Sequence, residues 1–487
     1  MSIYELWGHY AHPSWNSRNH TIWKDGMPLE DKGGAIWGRI WGNAQIGRAK
    51  EDTLALHVGD ACVTWRSETA VLRFVRAPAG RHTIYYCVEN GAAYFATKLP
   101  RLFSLLPGKQ QEFHEGSLAD FVACARVLPP LTIFTGVRHL VPGTSLAWSG
   151  ANSGALKCTA HQDWDWDAAW ALSRSLRSKN IRETMLSGLF GPIAQEATMA
   201  GAPLAHPFSL DIFNELPSCT SILVDPIGEY GIALFAHILK HVKLPSVLNC
   251  DVTDDLLQDL HLTGTPSRRV GGSFMLKPRW RKQFENHWLE ERMRELISPI
   301  ASVLARIPQW EPEAVIRLLY VAPERRLQLT ALAEAHGKMV NFPGSAPVDM
   351  LRILRDGPDH KSAAHASLFT VCGRGFSVTE PESGNLFTNT VRQFHRSERL
   401  GRHTLAHYFA LSPFAMNRYL KHPDPGFRFD LEERLAGLMS LQYIWRFAAR
   451  LPSAHFDLSG KLKPSMHAAN LSTGVSRERS NDCPYSS

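Results

Sequence analysis

The sequence has no apolar run that approaches the roughly 18 to 20 residues needed to cross a bilayer, so it predicts no transmembrane helix and no membrane partner. Its beginning, MSIYELWGHYAHP, lacks the basic region followed by an apolar core that is typical of a secretory signal. We therefore expect a cytoplasmic protein. Widespread disorder is not expected, because 44% of the residues are hydrophobic and 20% are charged.

The eight cysteines are scattered along the 487 residues and include no CxxC pair. In a long chain with no predicted signal, this spacing argues against a disulfide framework and against a zinc ribbon. The 22 histidines lack ligand spacing as well. His237 and His241 stand four residues apart on a predicted helix, but no third ligand or HExxH motif accompanies them. The sequence therefore predicts no metal site built from cysteines and histidines.

A strong charge of one sign is also absent, since 53 basic and 46 acidic residues leave a net charge of +7. This mild excess fits weak attraction to anionic partners such as ATP or an acidic peptide, and it fits a solvated basic surface better. The densest basic segment is KPRWRKQF, with Lys277, Arg279, Arg281 and Lys282. Nucleic acid could stack and pair on such a patch. A single patch on a helix is usually solvated, however, and we expect no nucleic-acid partner.

The chain length suggests two or three domains, and the first 150 residues differ in pattern from the rest. Short apolar segments separated by turn residues make residues 1–150 β-rich. A helix is predicted at 117–128, where apolar residues recur at helical spacing and two prolines follow. A polar linker is predicted at 150–162. Residues 163–470 are predicted to form a mainly helical second domain, and residues 471–487 are predicted to be a disordered tail.

Two glycine turns stand out in the second domain. The first, MLSGLFGPIA at 185–194, has the layout of a phosphate-binding loop. Its turn residues are Ser187, Gly188 and Gly191. It has Phe190 and Pro192 where such a loop usually has a carboxylate and hydroxyls, so a plain turn, a degenerate nucleotide loop and a working loop all stay open. The second turn follows SILVDPIG at 221–228, a β-branched run that predicts a buried strand leading into a loop.

Six short motifs, in order over residues 72–148, resemble the N-terminal domain of asparagine synthetases. The family shows an Arg-Asp-Pro-x-Gly turn, a Pro-Leu-Tyr-Tyr strand, a Phe-Ala-Ser-Glu segment, an Ala-Asp-Tyr/Phe helix, a Pro-x-Thr-x-Phe-x-Gly-Ile turn and a Leu-Pro-Pro-Gly-His close. The matching segments here are Arg76-Ala-Pro-Ala-Gly80, Thr83-Ile-Tyr-Tyr86, Phe95-Ala-Thr-Lys98, Ala119-Asp-Phe121, Pro130-Leu-Thr-Ile-Phe-Thr-Gly-Val137 and Leu140-Val-Pro-Gly-Thr144.

The resemblance implies an α+β and α/β fold class. An N-terminal-nucleophile-like β-rich sandwich would be followed by a shortened ATP-pyrophosphatase (adenine nucleotide α-hydrolase-like) α/β and helical domain. In the family, the first domain hydrolyses glutamine with a cysteine exposed as the mature first residue. This chain has Ser2 there and Lys98 where the family usually has Glu, and serine is a far weaker nucleophile unless a base activates it. We expect no glutaminase activity and a structural role, as in β-lactam synthetases and lasso-peptide cyclases.

In the family's second domain, a Ser-Gly-Gly-x-Asp-Ser loop binds ATP phosphates and its Asp holds Mg²⁺. Leu186-Ser-Gly-Leu-Phe-Gly-Pro-Ile-Ala194 resembles this loop, with Phe190 at the aspartate position. A second family loop, Gly-Glu-Gly-Ala-Asp-Glu-Leu-Phe, carries acidic residues for metal and catalysis. Gly228-Glu-Tyr-Gly-Ile-Ala-Leu-Phe235 resembles it, with Ile232 and Ala233 in place of the adjacent acidic pair. Mg²⁺ prefers oxygen ligands, which these replacements do not offer.

Carried over position by position, the resemblance implies a catalytic role for Glu229. It implies cofactor binding by Ser187, Gly188, Gly191, Gly228 and Gly231. The cofactors would be ATP and Mg²⁺ if the site is active, and none if it is not. For Glu229 the alternative is a solvated carboxylate that the dipole favours at a helix N-terminus. About 35 residues separate the two loops, whereas each βαβ unit needs about 30, so part of the family's sheet is missing.

The resemblance predicts an ATP-dependent ligase of the lasso-peptide-cyclase type in natural-product biosynthesis. Such an enzyme adenylates a carboxylate of a precursor peptide or a small substrate and closes an amide with an internal amine. The alternative is a catalytically inactive pseudo-synthetase that acts as a scaffold for a peptide or a biosynthetic partner protein. Removing one transition-state charge stabiliser typically costs about 10² to 10³ in rate, and several acidic positions are replaced here, which favours the scaffold mechanistically.

Overall fold

The computed structural model describes part of the chain: residues 6–11, 21–24, 27–28, 35–37, 61–66, 71–76, 82–89, 91–106, 112–114, 116–117, 120–121, 126–142, 144–148, 212–227, 230–241, 245–248, 278, 282, 289–298, 301–308, 310, 315–341, 437, 440–441 and 443–444. Within these residues, no helix is long and apolar enough to cross a membrane. The predicted linker at 150–162 and the predicted tail at 471–487 lie outside them.

The described strands between residues 6 and 148 form two antiparallel sheets. The six-stranded sheet has the order β3-β2-β1-β8-β7-β9, and the four-stranded sheet has the order β10-β6-β5-β4. The strands are β1 (Leu6–Ala11), β2 (Thr21–Lys24), β3 (Met27–Pro28), β4 (Ala35–Trp37), β5 (Ala61–Arg66), β6 (Val71–Arg76), β7 (Tyr85–Glu89), β8 (Ala92–Ala96), β9 (Arg138–His139) and β10 (Ser145–Trp148). The strands predicted from AVLRFV, HTIYYCV, AAYFATKL and TSLAW are present as β6, β7, β8 and β10.

One hydrophobic core joins the two sheets. The four-stranded sheet contributes Leu72 and Phe74 from β6 and Leu146 and Trp148 from β10, while the six-stranded sheet contributes residues of β1, β7 and β8. The Phe74 ring lies 5.3 Å from the Phe95 ring between centroids, in a tilted arrangement. Leu72 and Phe74 stand two residues apart on β6 and are both fully buried in this core, so the face of β6 that carries them packs against the opposite sheet.

Most of the named helices in the described residues follow the two sheets, after residue 211. They are α1 (Leu99–Leu105), α2 (Ile212–Leu223), α3 (Tyr230–His241), α4 (Leu289–Ile297), α5 (Ala301–Arg306) and α6 (Ala322–Ala335), with a π-helical turn, Arg317–Val321, directly before α6. Helix α6 packs against α2, α3 and the π-helical turn. Strands β11 (Ser246–Leu248) and β12 (Met339–Asn341) form a parallel pair in which Ser246 lies opposite Met339.

Helix α6 ends in a glycine cap. Gly337 has a φ of 68°, a conformation that glycine adopts without steric cost. The Gly337 N–H donates to the Glu334 carbonyl (N–O 2.9 Å), and the Lys338 N–H donates to the Ala333 carbonyl (N–O 2.8 Å). These two bonds form a Schellman motif, which satisfies carbonyls that the helix end leaves free. The cap turns the chain into β12.

The predicted strand at 221–228 is wrong, because α2 extends through its first three residues. Leu216, Cys219 and Leu223 recur at helical spacing and are all buried. The Thr220 hydroxyl donates to the Leu216 carbonyl within the helix (Oγ1–O 2.8 Å). Burial of this helical face outweighs the β-propensity of the β-branched residues.

Of the helix predicted at 117–128, the described residues show only the first part. Ser117, Asp120 and Phe121 are helical, whereas Arg126 lies in a bend and the following residues are not helical. The Ser117 N–H donates to Nδ1 of His114 (3.1 Å), so a histidine side chain caps this helix. The helix is shorter than predicted because the chain turns before the two prolines, Pro129 and Pro130.

Candidate functional site

The structure describes one of the six site residues predicted from the sequence. Gly231 lies in the first turn of α3 (Tyr230–His241). The remaining five lie outside the described residues: Ser187, Gly188, Gly191, Gly228 and Glu229. Their assignment to an ATP site stays a prediction. In the sequence Glu229 directly precedes α3, and this is where a helix dipole favours a carboxylate.

Two positions next to Gly231 are part of the helical core. Ile232 and Ala233 are each 1% exposed in α3, which packs against α2 and α6. By the resemblance described above, these are the positions of an acidic pair in asparagine synthetases. A carboxylate placed in such surroundings would need a partner to offset its desolvation. The buried environment in α3 therefore suits the apolar side chains of Ile232 and Ala233.

Among the described residues, a set of buried and partly buried polar groups lies between the N-terminal sheets and α6. We call it the junction cluster, and it consists of Arg76, Tyr85, His139, Asp225, Glu324 and Gln328. Three of these residues come from strands β6, β7 and β9, two come from α6, and Asp225 follows α2. Residues far apart in sequence therefore converge on one buried interface.

An ion pair between Arg76 and Glu324 is the centre of the junction cluster. Arg76 is 0% exposed, and its Nη1 donates to Oε1 of Glu324 (2.8 Å) and to the Leu140 carbonyl (2.8 Å). Nε and Nη2 of Arg76 have no hydrogen-bond partner within the described residues. A buried guanidinium needs a counter-charge, so Arg76 depends on Glu324 to remain in the core.

His139 lies against the other oxygen of Glu324. Its Nδ1 is 3.4 Å from Oε2 of Glu324, and its ring stacks on Tyr85 with the ring centroids 5.8 Å apart. Burial lowers the pKa of His139 to about 4, with Glu324 raising the pKa and Arg76 and Arg292 lowering it. His139 is therefore neutral at neutral pH, and Arg76 supplies the positive charge that Glu324 contacts.

Asp225 belongs to a segment, residues 224–227, that is held at three points. The Val224 N–H donates to the Thr220 carbonyl (2.8 Å), which closes the last turn of α2. Nε2 of Gln328 in α6 donates to Oδ2 of Asp225 (2.7 Å), and the Ile227 N–H donates to Oγ of Ser440 (2.9 Å). The backbone on both sides of Asp225 is thus fixed while its carboxyl group faces α6.

Asp225 titrates close to neutral pH. Burial raises its pKa from 3.8 to about 7; the hydrogen bond from Gln328 lowers the pKa, Glu324 raises it and Arg126 lowers it. Burial also raises the pKa of Tyr85 well above 10, and Asp225 and Glu324 raise it further, so this phenol stays protonated. Asp225 is therefore the member of the junction cluster whose charge changes around pH 7.

A second buried arginine, Arg292, also joins the N-terminal part of the chain to the later helices. Arg76 extends from a strand to a helix, whereas Arg292 extends from a helix to the N-terminal part. Nε of Arg292, in α4, donates to Oδ2 of Asp120 (3.1 Å). Nη2 of Arg292 donates to the carbonyls of Leu128 and Pro129, the latter at 2.8 Å. Its Nη1 donates to Glu295 (2.8 Å), so this guanidinium is hydrogen-bonded at all three nitrogens. The interface is fixed by one arginine from each side.

Lys98, which the resemblance described above aligns with a Glu, takes part in this interface. Its Nζ lies 3.8 Å from Oε2 of Glu334 at the end of α6, and Nε2 of His82 lies 2.7 Å from Oε1 of the same carboxylate. Nη1 of Arg126 donates to the Val321 carbonyl at the start of α6 (3.0 Å). Basic side chains of the N-terminal part therefore meet both ends of α6.

A smaller polar group joins α2 to α3. Nζ of Lys240 lies 2.6 Å from Oε2 of Glu215, and Nδ1 of His237 lies 3.2 Å from its Oε1. Burial raises the pKa of Glu215, but hydrogen bonds from Lys240 and His237 outweigh that effect and lower the pKa. Cys219, one turn further along α2, is fully buried, and burial raises its pKa to about 12. A thiol in this state is not a nucleophile.

The junction cluster was not predicted from the sequence. Its main pair, Arg76 and Glu324, is 248 residues apart, and no local pattern connects the two positions. One local signal was present at Asp225, which interrupts the apolar run Ile222-Leu223-Val224. Within the described residues, no group of three or more His, Cys, Asp or Glu side chains is arranged to hold a metal ion.

No model of a known protein family matches this chain, and a search of curated proteins found no match either.

Proposed function

We propose that this chain is an asparagine synthetase-like protein that acts as a catalytically inactive scaffold, binding a precursor peptide or a biosynthetic partner protein in the cytoplasm. The supporting observation is the burial of Ile232 and Ala233 in the core around α3. The resemblance puts a catalytic and metal-binding acidic pair at these positions. Here they pack a helix, and a carboxylate at either position would be desolvated.

The interface around α6 supports a structural role for residues 1–150 in this proposal. Two buried arginines, Arg76 and Arg292, cross the interface in opposite directions. Lys98 faces Glu334 across the same interface. A position at which the family's glutaminase domain has Glu therefore contributes to docking. This is the expected arrangement if the N-terminal domain supports the second domain and does not hydrolyse glutamine.

The second candidate is an ATP-dependent amide ligase of the lasso-peptide-cyclase type. One observation favours it: α3 begins at Tyr230, directly after Gly228-Glu229 in the sequence, and the resemblance expects a helix to begin there. In this reading, Glu229 is the catalytic carboxylate, the glycines of both loops hold ATP with Mg²⁺, and a peptide or small carboxylate is adenylated.

An ATP–pyrophosphate exchange assay on the full chain separates the two candidates. The protein is incubated with ATP, Mg²⁺, labelled pyrophosphate and a synthetic peptide that matches the short open reading frame nearest to its gene. Binding of ATP and of the peptide is measured separately by calorimetry. Glu229→Ala is the test variant, and Glu295→Gln, an exposed carboxylate far along the sequence, is the matched control.

The scaffold proposal predicts no exchange above background, no heat of ATP binding and saturable binding of the peptide. Exchange that Glu229→Ala abolishes and Glu295→Gln preserves would establish the ligase and refute the scaffold. If the protein shows neither exchange nor peptide binding, both candidates are refuted for this peptide class.

A further inference from the structure

Helix α6 carries two buried polar side chains that contact different parts of the chain. Glu324 and Gln328 stand one helical turn apart in α6, so they lie on the same side of the helix. Oε1 of Glu324 accepts a hydrogen bond from Nη1 of Arg76 in β6 (2.8 Å). Nε2 of Gln328 donates to Oδ2 of Asp225, which follows α2 (2.7 Å). A single turn of α6 therefore contacts both the N-terminal sheets and residues 224–227.

The backbone of residues 224–227 is strained and has to be held in place. Val224 has a φ of 51°, a left-handed conformation that is costly for a β-branched residue. Strain of this kind persists only where the surrounding contacts fix the conformation, and Val224 is fully buried. The segment has the three hydrogen bonds described above, and the one from Gln328 ties it to α6.

The same segment leads into the second glycine turn of the sequence. Ile227 is 1% exposed and directly precedes Gly228-Glu229 in the chain. Helix α3 begins at Tyr230, directly after these two residues. The placement of Ile227 therefore sets where the chain enters this turn, whatever ligand the turn binds.

We propose that Gln328 is a positioning residue: through α6, it makes the placement of residues 224–227 depend on the docking of the N-terminal sheets at the Arg76–Glu324 pair. A helix is stiff over a single turn, so a shift of Glu324 also moves Gln328. A displaced Gln328 loses its hydrogen bond to Asp225, and the strained segment then relaxes. The coupling is reciprocal, so release of residues 224–227 also weakens the docking of the sheets.

Hydrogen-exchange mass spectrometry of the full chain without ligand tests this coupling. The measured quantity is the exchange rate of peptides that cover residues 224–229, divided by the rate of peptides that cover β8 in the N-terminal core. Glu324→Gln weakens the docking and should raise this ratio about tenfold. Asp120→Asn is the matched control, because it removes the counter-charge of Arg292, the other buried arginine. It should change the ratio by less than about twofold.

Gln328→Leu shows whether the effect passes through Gln328. This variant removes the hydrogen bond to Asp225 and leaves the Arg76–Glu324 pair in place. It should raise the ratio about tenfold by itself, and adding Glu324→Gln should then raise it by less than about twofold. Because the coupling is reciprocal, Gln328→Leu should also speed exchange in β9 relative to β8 by about threefold. This last measurement tests the coupling even if Glu324→Gln does not fold.

Four results overturn the proposal. The first is a ratio in Gln328→Leu within about twofold of the wild-type value, and the second is unchanged exchange in β9 of that variant. The third is an equal rise of the ratio in Asp120→Asn and Glu324→Gln, which would indicate general destabilisation. The fourth is multiplication of the effects of Glu324→Gln and Gln328→Leu, since Glu324 would then act by another route. None of these measurements uses ATP or a peptide, so the proposed function is tested separately.

Discussion

Replacing Glu324 with glutamine should strongly destabilise the protein. In the wild type, Arg76 is fully buried and receives its counter-charge from Glu324 at 2.8 Å. Glutamine can still accept the hydrogen bond from Nη1, but it removes the negative charge. Arg76 then has an uncompensated charge in the core, and Nε and Nη2, which have no partner in the described structure, gain none.

The expected loss can be estimated from the burial of the pair. Removing one partner of a buried ion pair typically costs about 3–5 kcal/mol. Because glutamine retains one hydrogen bond, which contributes about 1 kcal/mol, we expect Glu324→Gln to cost about 2–4 kcal/mol. The double variant Arg76→Met/Glu324→Leu should recover most of this loss, since apolar side chains can replace a buried pair at little net cost.

Urea unfolding followed by tryptophan fluorescence measures these differences, because Trp148 lies fully buried in the core between the two sheets. The control is Glu295→Gln, which removes the charge of a side chain that is 55% exposed, while buried Arg292 keeps Asp120 as its counter-charge. This variant should change the free energy of unfolding by less than about 0.5 kcal/mol. A loss below about 1 kcal/mol in Glu324→Gln, or a double variant as unstable as the single one, would refute the assignment of a buried, charge-dependent interface.

Two smaller predictions concern single residues. Gly337→Ala should lower the free energy of unfolding by about 1 kcal/mol, because its φ of 68° strains an L residue although no atom lies within 4 Å of the added Cβ. Gly337→Asn should lose less stability in the same urea titration. An unchanged free energy of unfolding in Gly337→Ala would contradict the glycine cap. Cys219, with a pKa of about 12, should react with iodoacetamide at pH 8 only in urea, as peptide mass spectrometry can measure; labelling of the native chain at the same rate contradicts its burial.

Local sequence patterns predicted β6, β7, β8 and β10, did not predict β1 to β4, and failed at helix α2. The short apolar segment AVLRFV predicted β6, and Leu72 and Phe74, which lie on one face of that strand, are both buried. At 221–228 the same reasoning failed, since β-branched residues also fit a buried helix when their spacing matches it. There Cys219 and Leu223 share the buried face of α2, and tertiary packing decided the outcome.

The candidate site could be predicted only where its signal was local. The loop residues Ser187 and Glu229 came from a family resemblance and remain predictions outside the described residues. The junction cluster came from the fold alone, because Arg76, Asp225 and Glu324 meet only after three distant segments have packed. A buried charge has no sequence signature when its partner is 248 residues away.

The separation between Arg76 and Glu324 has a consequence for synthesis of the protein. A ribosome adds about 5–20 residues per second, so the 248 residues between the two positions take about 12 to 50 s to appear. Throughout that interval, Arg76 lacks the Glu324 carboxylate, and the face of the N-terminal sheets that α6 later covers is exposed. The exposed face of the unfinished chain must therefore be protected from aggregation during this interval. We expect the nascent chain to need chaperones more than the finished protein does.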